Sequence, residues 1–295
     1  MNAKGIYERL IRSRWELGFI IGGLDGVFSD KSLDIQWVKN PFRDRWFADP
    51  FILDVTDQFI YLLAEEFQFS TKKGRIAKLT ICRESFIIEK YDILLELPTH
   101  LSFPNILRHD GKVFVYPESC GSRRLDLYEY NEEKETLVYR KTLLEEPVWD
   151  SSILDYSGVR YLFTAKTNDF FLDIYKWSKD IARFEYFRSI ESQEKISRMA
   201  GQFFEYNGNL YCPSQDCRMN YGGAVVIKEV IIEDGNFKFI NRKRLVSPHK
   251  KRSIALHTLN EYKGIVVIDV GGYDFPLIGP FLHKFVHSHK SKATL

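Results

Sequence analysis

Cysteine is scarce and unpatterned in this chain. Cys82, Cys120, Cys212 and Cys217 stand among 295 residues with no C-x-x-C pair. That excludes a disulfide-dense scaffold and suits a reducing, cytoplasmic setting. No stretch reaches the roughly 18 apolar residues of a membrane span, and no apolar segment follows a basic start, so neither a spanning helix nor a secretory signal is expected. The net charge of +2 gives no footprint for nucleic acid and none for an acidic partner. Gly22-Gly23-Leu24-Asp25-Gly26 lacks the G-x-G-x-x-G pattern and reads as a turn. There is no low-complexity segment.

Aromatic residues, by contrast, make up 15% of the chain, and they recur in a repeated unit. Its first copy is Arg45-Trp46-Phe47-Ala48-Asp49-Pro50-Phe51-Ile52-Leu53, a polar turn, then Phe59–Ala64 ending on Glu65-Glu66. Pro is tolerated where a strand begins. The second copy runs from His100 through His109-Asp110-Gly111 to Glu118, and the third from Trp149 through Tyr156-Ser157-Gly158 to Lys166. The fourth runs from Gly201 through Tyr206-Asn207-Gly208 to Asp216, and the fifth from Ile254 through Tyr262-Lys263-Gly264 to Gly272. Asp-Gly, Asn-Gly and Ser-Gly between apolar runs signal hairpins, because Gly accepts a positive φ without penalty.

The turn markers Asp57, Gly111, Gly158, Gly208 and Gly264 recur about every 50 residues, the period of propeller blades. The predicted fold is an all-β, five-bladed β-propeller over residues 15–274, with an N-terminal extension (1–14) and a C-terminal tail (275–295). Each repeated hairpin supplies the two inner strands of a blade. Segments such as Arg75–Ile81, Phe86–Glu89, Leu125–Tyr130, Glu135–Tyr139 and Leu172–Trp177 supply the outer ones. Trp15–Ile21 is a candidate strand for closing the ring. Radial closure leaves only short sheet edges.

In such a hairpin the start of the first strand and the end of the second open on one face. Read round the ring, those positions are Asp49 and Glu65, then His100, Ser102 and Glu118, then Asp150 and Lys166. Gln202, Gln215 and Asp216 follow on blade four, and His257 on blade five. Asp49 and Asp150 each lie eight residues before their turn marker. The expected result is a central funnel of carboxylates, amides and histidines, with Trp46, Phe103 and Trp149 as flat faces for sugar rings. Single residues have plainer roles open to them. Asp150 can cap Ser151-Ser152, His257 can be a satisfied core histidine, and Gln215-Asp216 can brace blade four. Acidic residues keeping one phase in three blades favour the funnel.

The set Ala48-Asp49-Pro50-Phe51, Glu65, Gly74-Arg75-Ile76, His100-Leu101-Ser102-Phe103-Pro104, Pro117-Glu118-Ser119, Asp150-Ser151, Asn207–Tyr211, Gln215-Asp216-Cys217 and Tyr221-Gly222 resembles the N-terminal domain of glucosamine inositolphosphorylceramide transferases. The likeness spans nearly the whole chain. That domain is similar to the five-bladed propeller of furanosidase-type glycoside hydrolases, such as families 43 and 32, which set carboxylates on blades one, three and four round a pocket. The resemblance implies Asp49 and Asp150 as two of these. Blade four offers Gln202, Gln215 and Asp216 but no Glu, which leaves Glu118 on blade two as the candidate acid.

The function expected is therefore glycosyl transfer in cell-surface glycan or glycolipid assembly, with Asp49, Glu118 and Asp150 catalytic. The alternatives are a furanosidase-like glycoside hydrolase and a non-catalytic glycan-binding or scaffolding propeller. Glycosyl chemistry needs one protonated and one ionised carboxyl, and crowded carboxyls push their pKa values apart. Substrate contacts are expected from Trp46, Glu65, His100, Ser102, Trp149, Lys166, Gln202, Gln215, Asp216 and His257. The expected partner is a sugar or glycan, with a nucleotide-sugar or glycolipid as candidate forms. No nucleic acid, cofactor or metal is expected, although a divalent ion near His257 stays open. The expected state is a monomer, and a peripheral membrane contact stays open for the tail.

Overall fold

Residues 10–166, 170–192, 194–233, 235–276 and 278 are described by a computed structural model. The chain starts with β1 (Ser13–Ile20), a short helix α1 (Gly23–Phe28) and β2 (Ile35–Trp37). Blade one follows as β3 (Arg45–Val55), β4 (Phe59–Gln68), β5 (Lys73–Cys82) and β6 (Ile88–Leu95). Blade two is β7 (Ser102–His109), β8 (Lys112–Glu118), β9 (Leu125–Asn131) and β10 (Thr136–Leu144). Blade three is β11 (Trp149–Tyr156), β12 (Val159–Ala165), β13 (Phe171–Ser178) and β14 (Arg183–Glu191). Blade four is β15 (Phe204–Tyr206), β16 (Asn209–Asp216), β17 (Ala224–Glu233) and β18 (Asn236–Leu245). Last come β19 (Leu259–Tyr262) and β20 (Ile265–Tyr273), which join β1 and β2 in the order β19-β20-β1-β2. The chain is a five-bladed β-propeller, and its fifth blade is built from both ends of the described chain.

Local chemistry explains the hairpins. Asp110-Gly111, Ser157-Gly158, Asn207-Gly208 and Lys263-Gly264 each place two successive residues at positive φ, between 49° and 78°. That is the primed turn whose twist matches its flanking strands. Blade one has no glycine there; instead Phe59 N–H donates to Thr56 Oγ1 at 3.1 Å. Sheets stacked face to face bury both sides of their middle strands. One apolar cluster runs through Phe51, Leu63, Phe103, Val115, Phe163 and Ile174. A second joins blades five and one through Leu17, Phe19, Phe47, Ile52 and Val267.

Polar side chains knit the blades across the axis. Asn260 Nδ2 donates to Pro50 O at 2.9 Å, and Gln202 N–H donates to Asn260 Oδ1 at 2.8 Å. Gln202 Nε2 donates to Asn105 Oδ1 at 2.9 Å, and Asn105 Nδ2 to Ser151 O at 2.9 Å. Ser152 Oγ donates to Gly201 O at 2.7 Å. These bonds touch all five blades and form a floor beneath the funnel end.

Three sequence expectations shift. The Gly22–Gly26 stretch is not only a turn, because α1 begins within it and buries Val27. Its glycines are needed for close approach: a Cβ on Gly26 would lie 2.2 Å from Ile21 O. The inner strands of blades four and five start at Phe204 and Leu259, later than the repeated units that run from Gly201 and Ile254. In blade five the amides of His257 and Thr258 donate to the Asp269 side chain instead of to a strand ladder. The second outer strand of blade one starts at Ile88, since Phe86 sits in a turn at φ 54°. Residues 1–9 and nearly all of the 275–295 tail lie outside the described residues. No described helix is long and apolar enough to cross a membrane.

Candidate functional site

Three inner strands open on the same irregularity. Asp49, Phe103 and Asp150 occupy equivalent places in β3, β7 and β11 and have φ of 49°, 44° and 45°. Register breaks between Ala48 and Phe51, Ser102 and Asn105, and Trp149 and Ser152 mark a bulge at each. A left-handed φ on a non-glycine residue costs roughly 1–3 kcal/mol, and bulges re-aim side chains next to sites. In each bulge the freed N–H donates to a carboxylate. Asp49 N–H meets Asp269 Oδ2 at 2.9 Å, Phe103 N–H meets Asp49 Oδ2 at 3.0 Å, and Asp150 N–H meets Glu118 Oε2 at 3.0 Å. The strained positions and the acidic cluster are thus one construction.

One half of the cluster centres on Asp49, only 4% exposed. Thr258 Oγ1 donates to its Oδ1 at 2.9 Å, and His257 Nε2 lies 3.4 Å from the same oxygen. His257 Nδ1 lies 2.8 Å from Asp269 Oδ1, and its ring stacks on Trp15 at 4.0 Å. Burial opposes charge on His257, but Asp269 and Asp49 outweigh it and raise the ring to about 9. Burial pushes the Asp49 carboxyl up against the pull of His257, to about 7. Asp49, His257 and Asp269 each offer one atom within 4.8 Å of the others and could hold a metal. A metal there would compete with the imidazole proton.

The other half centres on Glu118 and Asp150. Gln215 Nε2 donates to Asp150 Oδ2 at 2.8 Å, Arg198 Nε donates to the same oxygen, and Arg198 Nη2 stays 3.9 Å from Glu118 Oε2. Burial first, and then the charge of Asp150, push Glu118 well above the usual glutamate range. The Arg198 guanidinium lies between the rings of Trp149 (5.2 Å) and Tyr221 (5.1 Å). Tyr221 is 54% exposed at the rim. Beside it Gly222 (φ 55°) passes so close to His257 that an added Cβ would lie 2.3 Å from the histidine Cβ.

Glu65 and His100 form a third element. Gly74 N–H donates to His100 Nδ1 at 2.9 Å, which leaves the ring proton on Nε2, 3.2 Å from Glu65 Oε1. That contact is off-line, and the buried Oε1 has no other partner. Burial raises the Glu65 pKa against the pull of His100.

Of the sequence candidates, Asp49, Glu65, His100, Glu118, Asp150, Gln215 and His257 converge here, and Ser102 sits opposite Glu118 in the β7–β8 ladder. Trp149 lies under Arg198 and donates its indole N–H to Cys120 Sγ at 3.2 Å. Trp46 stacks on Phe67 at 4.7 Å and lines a rim cavity of about 300 Å³. Three candidates point elsewhere. Lys166 pairs with Glu146, Gln202 belongs to the floor, and Asp216 is gripped by Arg218 and Arg244 at 2.8 and 2.7 Å. Arg198, Tyr221, Thr258 and Asp269 are additional. Asp269 had a signal, a lone carboxylate in the apolar run Ile265–Val270. Arg198 stands in an irregular segment and had none.

Fold and cluster together define a propeller with a carboxylate-lined axial site. The family model described as "Glucosamine inositolphosphorylceramide transferase 1, N-terminal" matches residues 35–263, and the chain belongs to that family. It is 28% identical over 248 residues to glucosamine inositolphosphorylceramide transferase 1 of Arabidopsis thaliana, covering 73% of this chain and 32% of that protein. The protein of the same name from Oryza sativa subsp. japonica is 26% identical over 202 residues, covering 64% of this chain and 27% of that protein. The chain thus spans about a third or less of these relatives. Among solved structures, a thermostable family-43 glycoside hydrolase superposes with a TM-score of 0.56 at 12% identity, covering 82% of this chain and 90% of that one. A family-43 β-xylosidase/α-arabinofuranosidase from a compost microbial metagenome, in complex with xylotriose, gives 0.54 at 14% identity, covering 77% and 86%. At such identities these structures show the fold alone. By family, the chain's relationship is with carbohydrate-handling proteins.

Proposed function

We propose that the axial cluster is a sugar site that carries out glycosyl transfer in the assembly of a cell-surface glycan or glycolipid. The observation that carries this is the Glu118–Asp150 pair. Glu118 is partly buried, with its side chain 13% exposed; its pKa is pushed well above the ordinary glutamate range, and no cation is in hydrogen-bonding contact. Asp150 receives Arg198 and Gln215. A protonated acid beside an ionised carboxylate is the arrangement that glycosyl chemistry requires. Glu118 serves as the acid, and Asp49, raised to about 7, serves as the base or charge stabiliser at neutral pH. Glu65 Oε1, met only by the off-line His100 contact, can take a sugar hydroxyl, and Trp149 and Tyr221 flank Arg198. The relatives' printed name supports a glycolipid acceptor. The four cysteines, none paired with another, suit a cytoplasmic site.

Two observations weigh on the alternatives. Blade four gives the cluster an amide, Gln215, while Asp216 is held by two arginines. This disfavours a hydrolase that needs an acid on that blade. Arg198 lies directly on Asp150, which favours a glycan-binding propeller without turnover as the second reading. Incubation with nucleotide-sugars and candidate acceptors, read by mass spectrometry, separates the two. Turnover lost in Glu118→Gln with sugar binding kept supports transfer. Binding without turnover across a broad panel leaves the binding module.

A further inference from the structure

The face of the hairpin turns, opposite the axial cluster, carries a groove of about 920 Å³ between blades one and two, ending at the Tyr262-Lys263 turn of blade five. That volume is in the range of small-molecule sites. Its walls carry the aromatic rings of Tyr61, Tyr130 and Tyr262 and charges of both signs, with Lys78, Arg108 and Lys112 beside Asp54, Asp110, Glu132 and Glu135. Arg108 comes from β7, yet its Nη2 donates to Ile52 O at 2.8 Å and Leu53 O at 2.9 Å on blade one. Successive carbonyls of a regular strand point opposite ways. The register break between Ile52 and Asp54 turns both toward one donor. The guanidinium also lies 3.7 Å from the centre of the Tyr262 ring on blade five. Three blades therefore fix one arginine at the groove.

The other cations of the groove have partners. Lys78 and Lys90 pair with Glu135 at 2.5 and 3.0 Å, Lys112 with Glu129 at 3.1 Å, and Lys263 with Asp54 at 2.6 Å. Among the described residues, no carboxylate lies within ion-pairing distance of Arg108. Burial lowers its pKa, but a guanidinium keeps its proton in proteins. Asp54, already paired with Lys263, offsets the Arg108 charge only from beyond ion-pairing distance, and a fixed guanidinium is shaped to take a phosphate or a carboxylate.

We propose that this groove is a second ligand site, which binds a sugar carrying a phosphate or a carboxylate, with the anion on Arg108 and the sugar body along Tyr61 and Tyr130. It stands apart from the axial cluster and does not depend on what that cluster does. The test is isothermal titration of the whole chain with glucose 1-phosphate and with glucuronate, beside glucose and inorganic phosphate. At least one charged sugar should bind, and which one does tells phosphate from carboxylate. Glucose and free phosphate should each bind about tenfold more weakly, and added salt should weaken the charged ligand. Arg108→Gln keeps an amide for the Ile52 and Leu53 carbonyls and should weaken binding about tenfold. Lys112→Glu, at an exposed position, should also weaken it, and it decides the matter if Arg108→Gln does not fold. The proposal is overturned if neither charged sugar binds at millimolar concentration. It is also overturned if glucose or free phosphate binds as well as they do, or if the folded variants bind like the parent.

Discussion

Arg198 decides how the buried charges of the site are shared. Its guanidinium contacts Asp150 and stays 3.9 Å from Glu118, whose carboxyl burial and the Asp150 charge push well above the usual glutamate range. Breaking a buried ion pair typically costs about 3–5 kcal/mol, because one charge is left uncompensated. Arg198→Met is predicted to destabilise by roughly 3 kcal/mol near neutral pH, in keeping with that range. The loss should shrink as the solution is made acid, where an uncompensated carboxylate can be neutralised. Urea melts at several pH values check this, and a pH-independent loss would assign Arg198 a packing role. His257 gives a second prediction. Its folded pKa is about 9, raised from 6.5, so the folded state holds that proton more tightly. The stability it contributes is complete below about pH 6.5 and is lost as pH rises through about 9. A drop of roughly 3 kcal/mol is expected across that window, and His257→Gln should flatten it. A parent chain equally stable at pH 6.5 and above 9 would remove the ion-paired histidine.

Among the elements, the three bulges and the Tyr221-Gly222 loop hold the site. Gly222 is at φ 55°, and a Cβ there would lie 2.3 Å from His257 Cβ. Gly222→Ala should therefore destabilise by about 1–3 kcal/mol, through backbone strain and overpacking, and should displace His257 from Asp49. The thermal midpoint and the histidine titration by NMR report both effects; an unchanged midpoint would mean the loop yields freely. The hairpins themselves were legible in the sequence, since a Ser157-Gly158 or Asn207-Gly208 turn depends on its own residues. The equivalence of Asp49 and Asp150 was legible as well, through a constant distance to the turn. The late starts of β15 and β19 were not. β19 starts late because Asp269 takes the His257 and Thr258 amides, and ahead of β15 the Gln202 amide goes to Asn260 Oδ1; both are tertiary effects. Arg198 was hidden for the same reason: its segment has no periodicity, and its carboxylate partners are 48 or more residues away in sequence.

For the molecule as a whole, closure of the ring depends on β1. It pairs with β20 along its full length, from Ser13 with Tyr273 to Ile20 with Val266. Arg14 and Arg252 both reach Asp274 beside that seam. Removing residues through Ile20 should leave a four-bladed remainder with an open β20 edge, prone to edge-to-edge pairing. Loss of the cooperative melt and aggregation are the expected outcomes; a soluble chain with an unchanged melt would show that β1 does not close the ring. Closure also brings His257 and Asp269 of blade five to Asp49 of blade one, so fold and site are completed by the same step.

The reading of the axial cluster as a site of sugar chemistry gives Asp49 the role of base or charge stabiliser beside the Glu118–Asp150 pair, and Asp49→Asn tests it. An amide can still accept the Phe103 N–H through its oxygen and meet the Thr258 hydroxyl through its nitrogen, and His257 Nε2 can give up its proton to face that nitrogen, so the fold should survive. With a donor and acceptor that support turnover in hand, the rate of product formation by mass spectrometry, measured beside the thermal midpoint, is the deciding quantity. The prediction is a midpoint within a few degrees of the parent and a turnover reduced about 100-fold or more, the usual worth of a positioned acid or base. A stable Asp49→Asn chain with full turnover would contradict it.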